Sequence, residues 1–399
     1  MNSTLSVDDY EITSDQLGSG REGSVILAYD RRNASDYASS ITSDLSGSTI
    51  APSTISFASG TKTLPGSSLA PSSSLYPSSI SSPKRILAVK RIKHTGTGSR
   101  EYLDAVRQAG ILLMLKQRRC PNIVDFVGIV HPSDSCVDLI LSACGRENLI
   151  QRALRDSQAY RNSGDRSTHT PGGQIISPVR TPKEREHYVK GIIRQLVQAV
   201  AGMHEHHIVH LDIKPENIMI DARGHVTLVD FGSARHVASE DLILPLDFTL
   251  QYLAPEGVYW TSIHRTAQVT HPVGSPELVL RLPMTHRCLL KALDVWAVGV
   301  VTYSLLAFRH PFDPPPSFSP PELETWLLSL EGERAIRPPT AGGKAWEFLK
   351  ASMRSDQSRI LGLLQGGSIG SASPMTPTGK GLARPTIQEL ARMRWLSSR

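Results

Sequence analysis

At 399 residues with 40% hydrophobic side chains, the chain is long enough to build two domain-sized units with cores of their own. Its formal charge of +6 is spread along the sequence rather than gathered into one stripe, which argues against nucleic acid as a partner. Four cysteines with no CxxC pair or zinc-like spacing fit reduced thiols in an intracellular protein, cytoplasmic or nuclear, and the N-terminal MNSTLSVDDYEI has neither the basic nor the apolar region of a secretory signal. No uninterrupted apolar run is long enough to span a bilayer, so no membrane partner is expected.

A tail over residues 1–9 precedes the first patterned stretch. Residues 11–30 read as strands around LGSGREGSV, that is Leu17, Gly18, Ser19, Gly20, Arg21, Glu22, Gly23, Ser24 and Val25. Missing Cβ atoms at the three glycines let backbone N–H groups approach phosphate oxygens. An unliganded hairpin fits the same glycines. A dinucleotide fingerprint fits less well, because it must open a helix, whereas Ser24 to Tyr29 continues as a strand. Residues 31–83 are dominated by Ser, Thr, Gly, Ala and Pro without a period of 2 or 3.6, and read as a disordered insertion. Similar stretches fall near 156–182, 258–290 and 366–382. In ILAVKRIK, within strand 84–93, Lys90 is embedded among apolar residues; it either snorkels from an edge or meets an anionic partner such as the phosphates of ATP.

Residues 101–116 and 184–205 read as helices, the second with Tyr188, Ile192, Leu196, Val200 and Met203 along one face. Beyond it, VHLDIKPENIMI puts Asp212, Lys214 and Asn217 in a loop, followed after a short apolar strand by LVDFG with Asp230. Two carboxylates and an amide converging on one place suit Mg2+, a hard cation with oxygen ligands. His204, His206, His207 and His210 form no H-E-x-x-H zinc motif, and His210 is expected to pack and position the loop. From Ala292 the pattern is mostly helical, ending in IQELARMRWL.

Taken together these motifs resemble the eukaryotic protein kinase family, in its serine/threonine-specific form. The resemblance implies an α+β, bilobal fold: a small β-rich lobe over 10–143 and a larger, mainly helical lobe over 144–399, interrupted by the four insertions. It implies ATP and Mg2+ as cofactors and protein substrates. Residues Leu17 to Val25 would cover ATP, Val25, Ala88 and Met219 would enclose the adenine, and Lys90 would hold the α- and β-phosphates. Leu141 falls at the gatekeeper position, with Ser142, Ala143 and Cys144 offering backbone groups. Asp212 resembles the base, Lys214 the residue that steadies the transferred phosphoryl group, and Asn217 with Asp230 the metal pair. Thr249 matches the threonine beside the base, Asp294 the anchor of the catalytic loop, and Arg384, with Arg359 as a rival, the partner of Glu256.

Two positions depart from the family pattern. Gln108 stands where the helical glutamate partner of Lys90 is expected, leaving a hydrogen bond in place of an ion pair. Leu211 replaces the arginine that would receive an activation-segment phosphate, so activity without phosphorylation between Ser233 and Thr249 is expected. Gln108 and the long insertions favour the alternative of a catalytically silent kinase-like scaffold; the intact set Lys90, Asp212, Asn217 and Asp230 favours the enzyme. Ser-Pro and Thr-Pro steps at Ser82, Thr170, Ser177, Thr181, Ser275, Ser373 and Thr376 are either targets of upstream proline-directed kinases or a by-product of composition.

Overall fold

The computed structural model describes residues 5–20, 23–32, 85–145, 147–162, 181–238, 249–258, 284–312, 319, 322, 326, 335–354 and 384–398. The chain divides into two compact units, Met1–Lys93 with Gly128–Ala143, and His94–Val127 with Cys144–Arg399. Together they make an α+β protein with a β-rich smaller unit and a mainly helical larger one.

The first unit is built on a five-stranded sheet in the order β1-β2-β3-β5-β4, comprising β1 (Tyr10–Gly20), β2 (Gly23–Asp30), β3 (Ile86–Lys93), β4 (Phe126–Ser133) and β5 (Cys136–Ser142). β3 reads ILAVKRIK and is buried on both faces, Leu87 and Val89 on one and Lys90 and Ile92 on the other, as suits an interior strand rich in β-branched and aliphatic residues. The antiparallel register sets Val25 opposite Lys90 and Leu27 opposite Ala88, and sets Ala88 opposite Leu141 and Lys90 opposite Leu139. Because side chains alternate with a period of two, Val25, Leu27, Ala88, Lys90, Leu139 and Leu141 share one face. On the other face Asp138 is fully buried; it accepts two hydrogen bonds from Arg91, at 2.8 and 2.6 Å, and one from the Tyr10 hydroxyl at 2.9 Å. Burial and the neighbouring Asp138 carboxylate push the Tyr10 phenol well above its ordinary value, so it stays a donor.

In the second unit, α1 (Arg100–Gln117) starts where the Ser99 hydroxyl accepts from the Tyr102 N–H. α2 (Leu149–Asn162) follows the short strand β6 (Glu147–Asn148). α3 (Pro182–Glu205) opens on a capping box between Thr181 and Glu184 with Pro182 in the first turn, the position where a missing N–H costs nothing. α3 packs against α4 (Met284–Ala307) and α6 (Ile387–Ala391); α4 in turn packs against α5 (Gly343–Ser352), and α7 (Arg394–Ser397) closes on α3 and α5. Gly299 permits the α4–α5 approach, because a Cβ there would lie 2.5 Å from Ser352 Oγ. Ile193, Leu196, Val200, Trp296, Val300, Tyr303, Phe348 and Trp395 form the core of this unit, each contributing about 1.5–3 kcal/mol by leaving water. Within α4, Leu290–Ala307 has a mean hydropathy of 1.4, enough by composition to cross a membrane, but 78% of it is buried in this core.

The structure shifts several sequence-based boundaries. Residues 94–127, expected with the strands of 10–143, group with the helical unit because Leu228 N–H donates to Asn122 O and Val124 N–H to Leu228 O. Residues 156–162, expected in an insertion, are helical, since α2 runs to Asn162. Its polar side chains have partners on α3: Arg152 donates to the Tyr188 hydroxyl, and Arg185 to Asp156. α4 starts at Met284, inside the segment expected as 258–290. Residues 33–84, 163–180, 259–283 and 355–383, which hold most of the expected insertions, lie outside the described residues.

Candidate active site

The loop expected to carry the catalytic residues is fixed by one carboxylate. Asp294 of α4, almost wholly buried, accepts from the backbone N–H groups of His210 and Leu211 at 2.9 Å each, and meets His204 Nε2 at 2.8 Å. Leu211 adopts φ 66°, a left-handed conformation costly for a branched side chain, and its bond to Asp294 holds it there. His210 is fully buried, as expected of a positioning residue. Its Nε2 lies 3.2 Å from Val229 O, the Asp212 N–H donates to its Nδ1, and its ring packs edge-on to Phe231. This pattern calls for the proton on Nε2.

Above the anchor, Asp212 gathers the polar groups of the loop. Its Oδ1 accepts from Thr249 Oγ1 at 2.7 Å, and its Oδ2 accepts from Lys214 Nζ at 2.8 Å and Asn217 Nδ2 at 2.9 Å. Lys214 also donates to Thr249 Oγ1 at 2.9 Å. A shallow cleft beside Asp212 is lined by Thr249, Tyr252, Leu253 and Ile213. Asn217 sits in a short 3-10 turn, and the strands β8 (Ile218–Ile220) and β9 (Val226–Leu228) then lead to Asp230. Met219 lies half-buried in β8, paired with Asn148 and Thr227. Asp230 has φ 60°, and the Phe231 ring after it is buried.

The residues present suit Mg2+. With its amide nitrogen committed to Asp212, Asn217 has its carbonyl oxygen left for a cation, and Asp230 supplies a carboxylate. Among the described residues no group of three or more His, Cys, Asp or Glu side chains forms a closed cage. Few protein oxygens, completed by water and phosphate, are what Mg2+ takes.

In the strand unit, the candidate nucleotide residues are placed separately. Gly18 pairs with Val25, Ser19 with Ser24 and Gly20 with Gly23, while Leu17 is exposed; Arg21 and Glu22 lie outside the described residues. Gly23 has φ 144°, and a Cβ there would come within 2.1 Å of Arg91 O, so only glycine fits. Lys90, buried, and Ala88 share their face with Val25 and Leu141. The Ala143 N–H donates to Ile86 O at 3.2 Å, which leaves its carbonyl as the backbone group to offer a ligand. Burial pushes the Cys144 thiol up to about 11, keeping it protonated at neutral pH.

The activation segment is held at both described ends, residues 239–248 lying outside them. β10 (Arg235–His236) pairs with β7 (Ile208–Val209), next to the catalytic loop. At the far end Arg384 donates to both oxygens of Glu256, at 2.6 and 3.4 Å, and to Ala292 O, with its guanidinium 5.1 Å from the Trp296 ring centre. The rival Arg359 lies outside the described residues. Two groups near this site belong to no sequence motif. His204, one of four nearby histidines, is the partner of Asp294, and Arg107 of α1 reaches the carbonyls after Asp230; neither spacing carries a local signal for its contact.

Comparison with known proteins follows the same lines. The protein kinase domain family matches residues 73–321, more than half of the chain. The chain belongs to that family. The match starts after β1 and β2, whose place comes instead from their pairing into the sheet with β3. The chain is 28% identical over 282 residues to cAMP-dependent protein kinase type 3 of Saccharomyces cerevisiae, covering 69% of this chain and 61% of that protein. It is 30% identical to Serine/threonine-protein kinase ULK3 of Xenopus laevis, over 49% of this chain and 36% of that one, and 38% identical to Death-associated protein kinase dapk-1 of Caenorhabditis elegans, over 30% and 7%. The chain thus spans less than two thirds of each of these relatives.

Proposed function

We propose that the chain transfers the γ-phosphoryl group of ATP to serine or threonine hydroxyls of proteins. The observation that carries this is the Asp212 cluster: a carboxylate oriented by Thr249, Lys214 and Asn217 beside a small cleft, on a loop locked to the core by Asp294. Asp212 is suited to accept the proton of the substrate hydroxyl, and Lys214, already within reach of it, to steady negative charge on the transferred group. Asn217 and Asp230 would hold Mg2+, which supplies charge neutralisation on the phosphate oxygens. Lys90, on a face shared with Ala88 and Val25, supplies the cation for the nucleotide phosphates. Protein substrates are inferred from the family and the named serine/threonine kinases among the relatives. Gln108, buried on α1 without a carboxylate, favours a second reading as a weak or silent scaffold.

The deciding experiment is phosphate incorporation from labelled ATP into a generic basic protein. Wild type should turn over with Mg2+, and Asp212→Asn should lose at least about a hundredfold in kcat, the lower range for a general base. No turnover by wild type, or equal rates for the two proteins, would sink the enzymatic reading.

A further inference from the structure

Two guanidinium groups converge on the backbone just after Asp230. Arg107 of α1 donates from Nη1 to Ala234 O at 2.6 Å and from Nη2 to Gly232 O at 2.9 Å, while Asp104 one turn earlier binds its Nη2 at 2.6 Å. Arg235, buried at the start of β10, donates to the same two carbonyls at 2.9 and 3.2 Å. Between them, Gly232 and Ala234 bridge the metal-side residue Asp230 to the strand pairing at β10 and β7. A planar guanidinium fork holds two carbonyls with donors fixed in direction, whereas a lysine ammonium on a flexible stem holds them with less geometric definition. The neighbouring helical residue is Gln108, so α1 has no carboxylate at the position where the family places its tie to the nucleotide lysine.

We propose that Arg107 is a positioning residue: by clamping the Gly232 and Ala234 carbonyls it ties α1 to the loop that orients Asp230, and it performs this coupling without any phosphate on the activation segment. The inference deepens the Proposed function and rests on its assignment of Asp230 to Mg2+. Arg107 touches no reacting atom; it acts through the backbone next to Asp230. Its partner carbonyls belong to the chain itself, so the clamp is formed by folding and needs no modifying enzyme.

The test compares the full-length wild type with Arg107→Ala and Arg107→Lys, with Leu103→Ala, at an exposed position of the same helix, as control. Two readouts do not depend on turnover. Hydrogen exchange of the peptide spanning residues 229–237 should quicken by about tenfold in Arg107→Ala, as expected when charge-assisted bonds to a loop are lost. The part of the ATP-induced thermal shift that requires Mg2+ should fall markedly in Arg107→Ala, recover in part in Arg107→Lys, and stay unchanged in Leu103→Ala. In the kinase assay the same order should appear as a raised Mg2+ requirement. Unchanged exchange would overturn the clamp. Faster exchange with an unchanged Mg2+-dependent shift would overturn the positioning role. An inactive wild type would overturn the Proposed function alone, since exchange and thermal shift read the clamp without catalysis.

Discussion

Replacing Asp294 by alanine removes the acceptor of three interactions at a single buried point. The N–H groups of His210 and Leu211 lose their partner, and His204 Nε2 loses its contact at 2.8 Å. A buried donor left without an acceptor costs about 1–3 kcal/mol, and Leu211 at φ 66° loses the bond that holds its left-handed conformation. Partial relaxation of the loop recovers some of this, so a loss of about 3–5 kcal/mol is expected. That is a large fraction of the roughly 5–15 kcal/mol by which a typical domain is stable. Asp294→Asn separates the contributions: a single carboxamide oxygen can serve either the Oδ1 partner, Leu211, or the Oδ2 partners, His210 and His204, while its NH2 faces a donor. Its loss should therefore fall between wild type and alanine. Urea unfolding gives the stability and the basic-protein assay gives the activity. If Asp294→Ala changes the unfolding free energy by less than about 1 kcal/mol and leaves activity intact, the carboxylate is not what holds the loop.

Two further expectations follow from local geometry. Gly23→Ala places a Cβ at a site 2.1 Å from Arg91 O with φ 144°, whereas Gly18→Ala meets nothing within 4 Å; the first should lose about 1–3 kcal/mol and raise KM for ATP, the second should stay within about 0.5 kcal/mol in stability, and equal effects would refute the steric account. Burial and the nearby His207 ring hold the His236 imidazole below its ordinary value, so the unfolded chain takes up the proton first as pH falls. The stability is therefore full above about pH 6.5 and declines below it, and His236→Gln should flatten the melting-temperature profile between about pH 7 and pH 5.

The strands and helices with clear periodicity were legible in the sequence because burial of one face writes itself into residue order. The stripe from Ile192 to Met203 is such a case, while ILAVKRIK, buried on both faces, was legible from its β-branched and aliphatic composition. The catalytic loop was legible for a different reason: Asp212, Lys214 and Asn217 lie within a few residues of one another, so their chemistry is visible as a motif. What stayed hidden depends on contacts between distant positions. His204 meets Asp294 across 90 residues and Arg107 meets Gly232 across 125, and neither partner changes the local pattern around the other. Helix α2 escaped notice because polar residues such as Arg152 and Asp156 are held by tertiary partners rather than marked by an apolar stripe. Which backbone group of Ala143 is already used is likewise set by its pairing with Ile86 and invisible from the sequence of either strand alone.

The capping boxes at Thr181–Glu184 and Thr386–Glu389 have a bearing on how such a chain can change over generations. Each helix carries its own start signal, with the hydroxyl and the carboxylate satisfying backbone donors reciprocally, so its first turn takes no instruction from the chain ahead. Lengthening the preceding segment costs only about 0.6 kcal/mol per doubling in closure entropy and does not shift the register of α3 or α6. Insertions at these two points are thus nearly invisible to natural selection on stability, and new sequence can accumulate there while the Asp294 hold on the Leu211 loop and the Arg384–Glu256 pair remain in place.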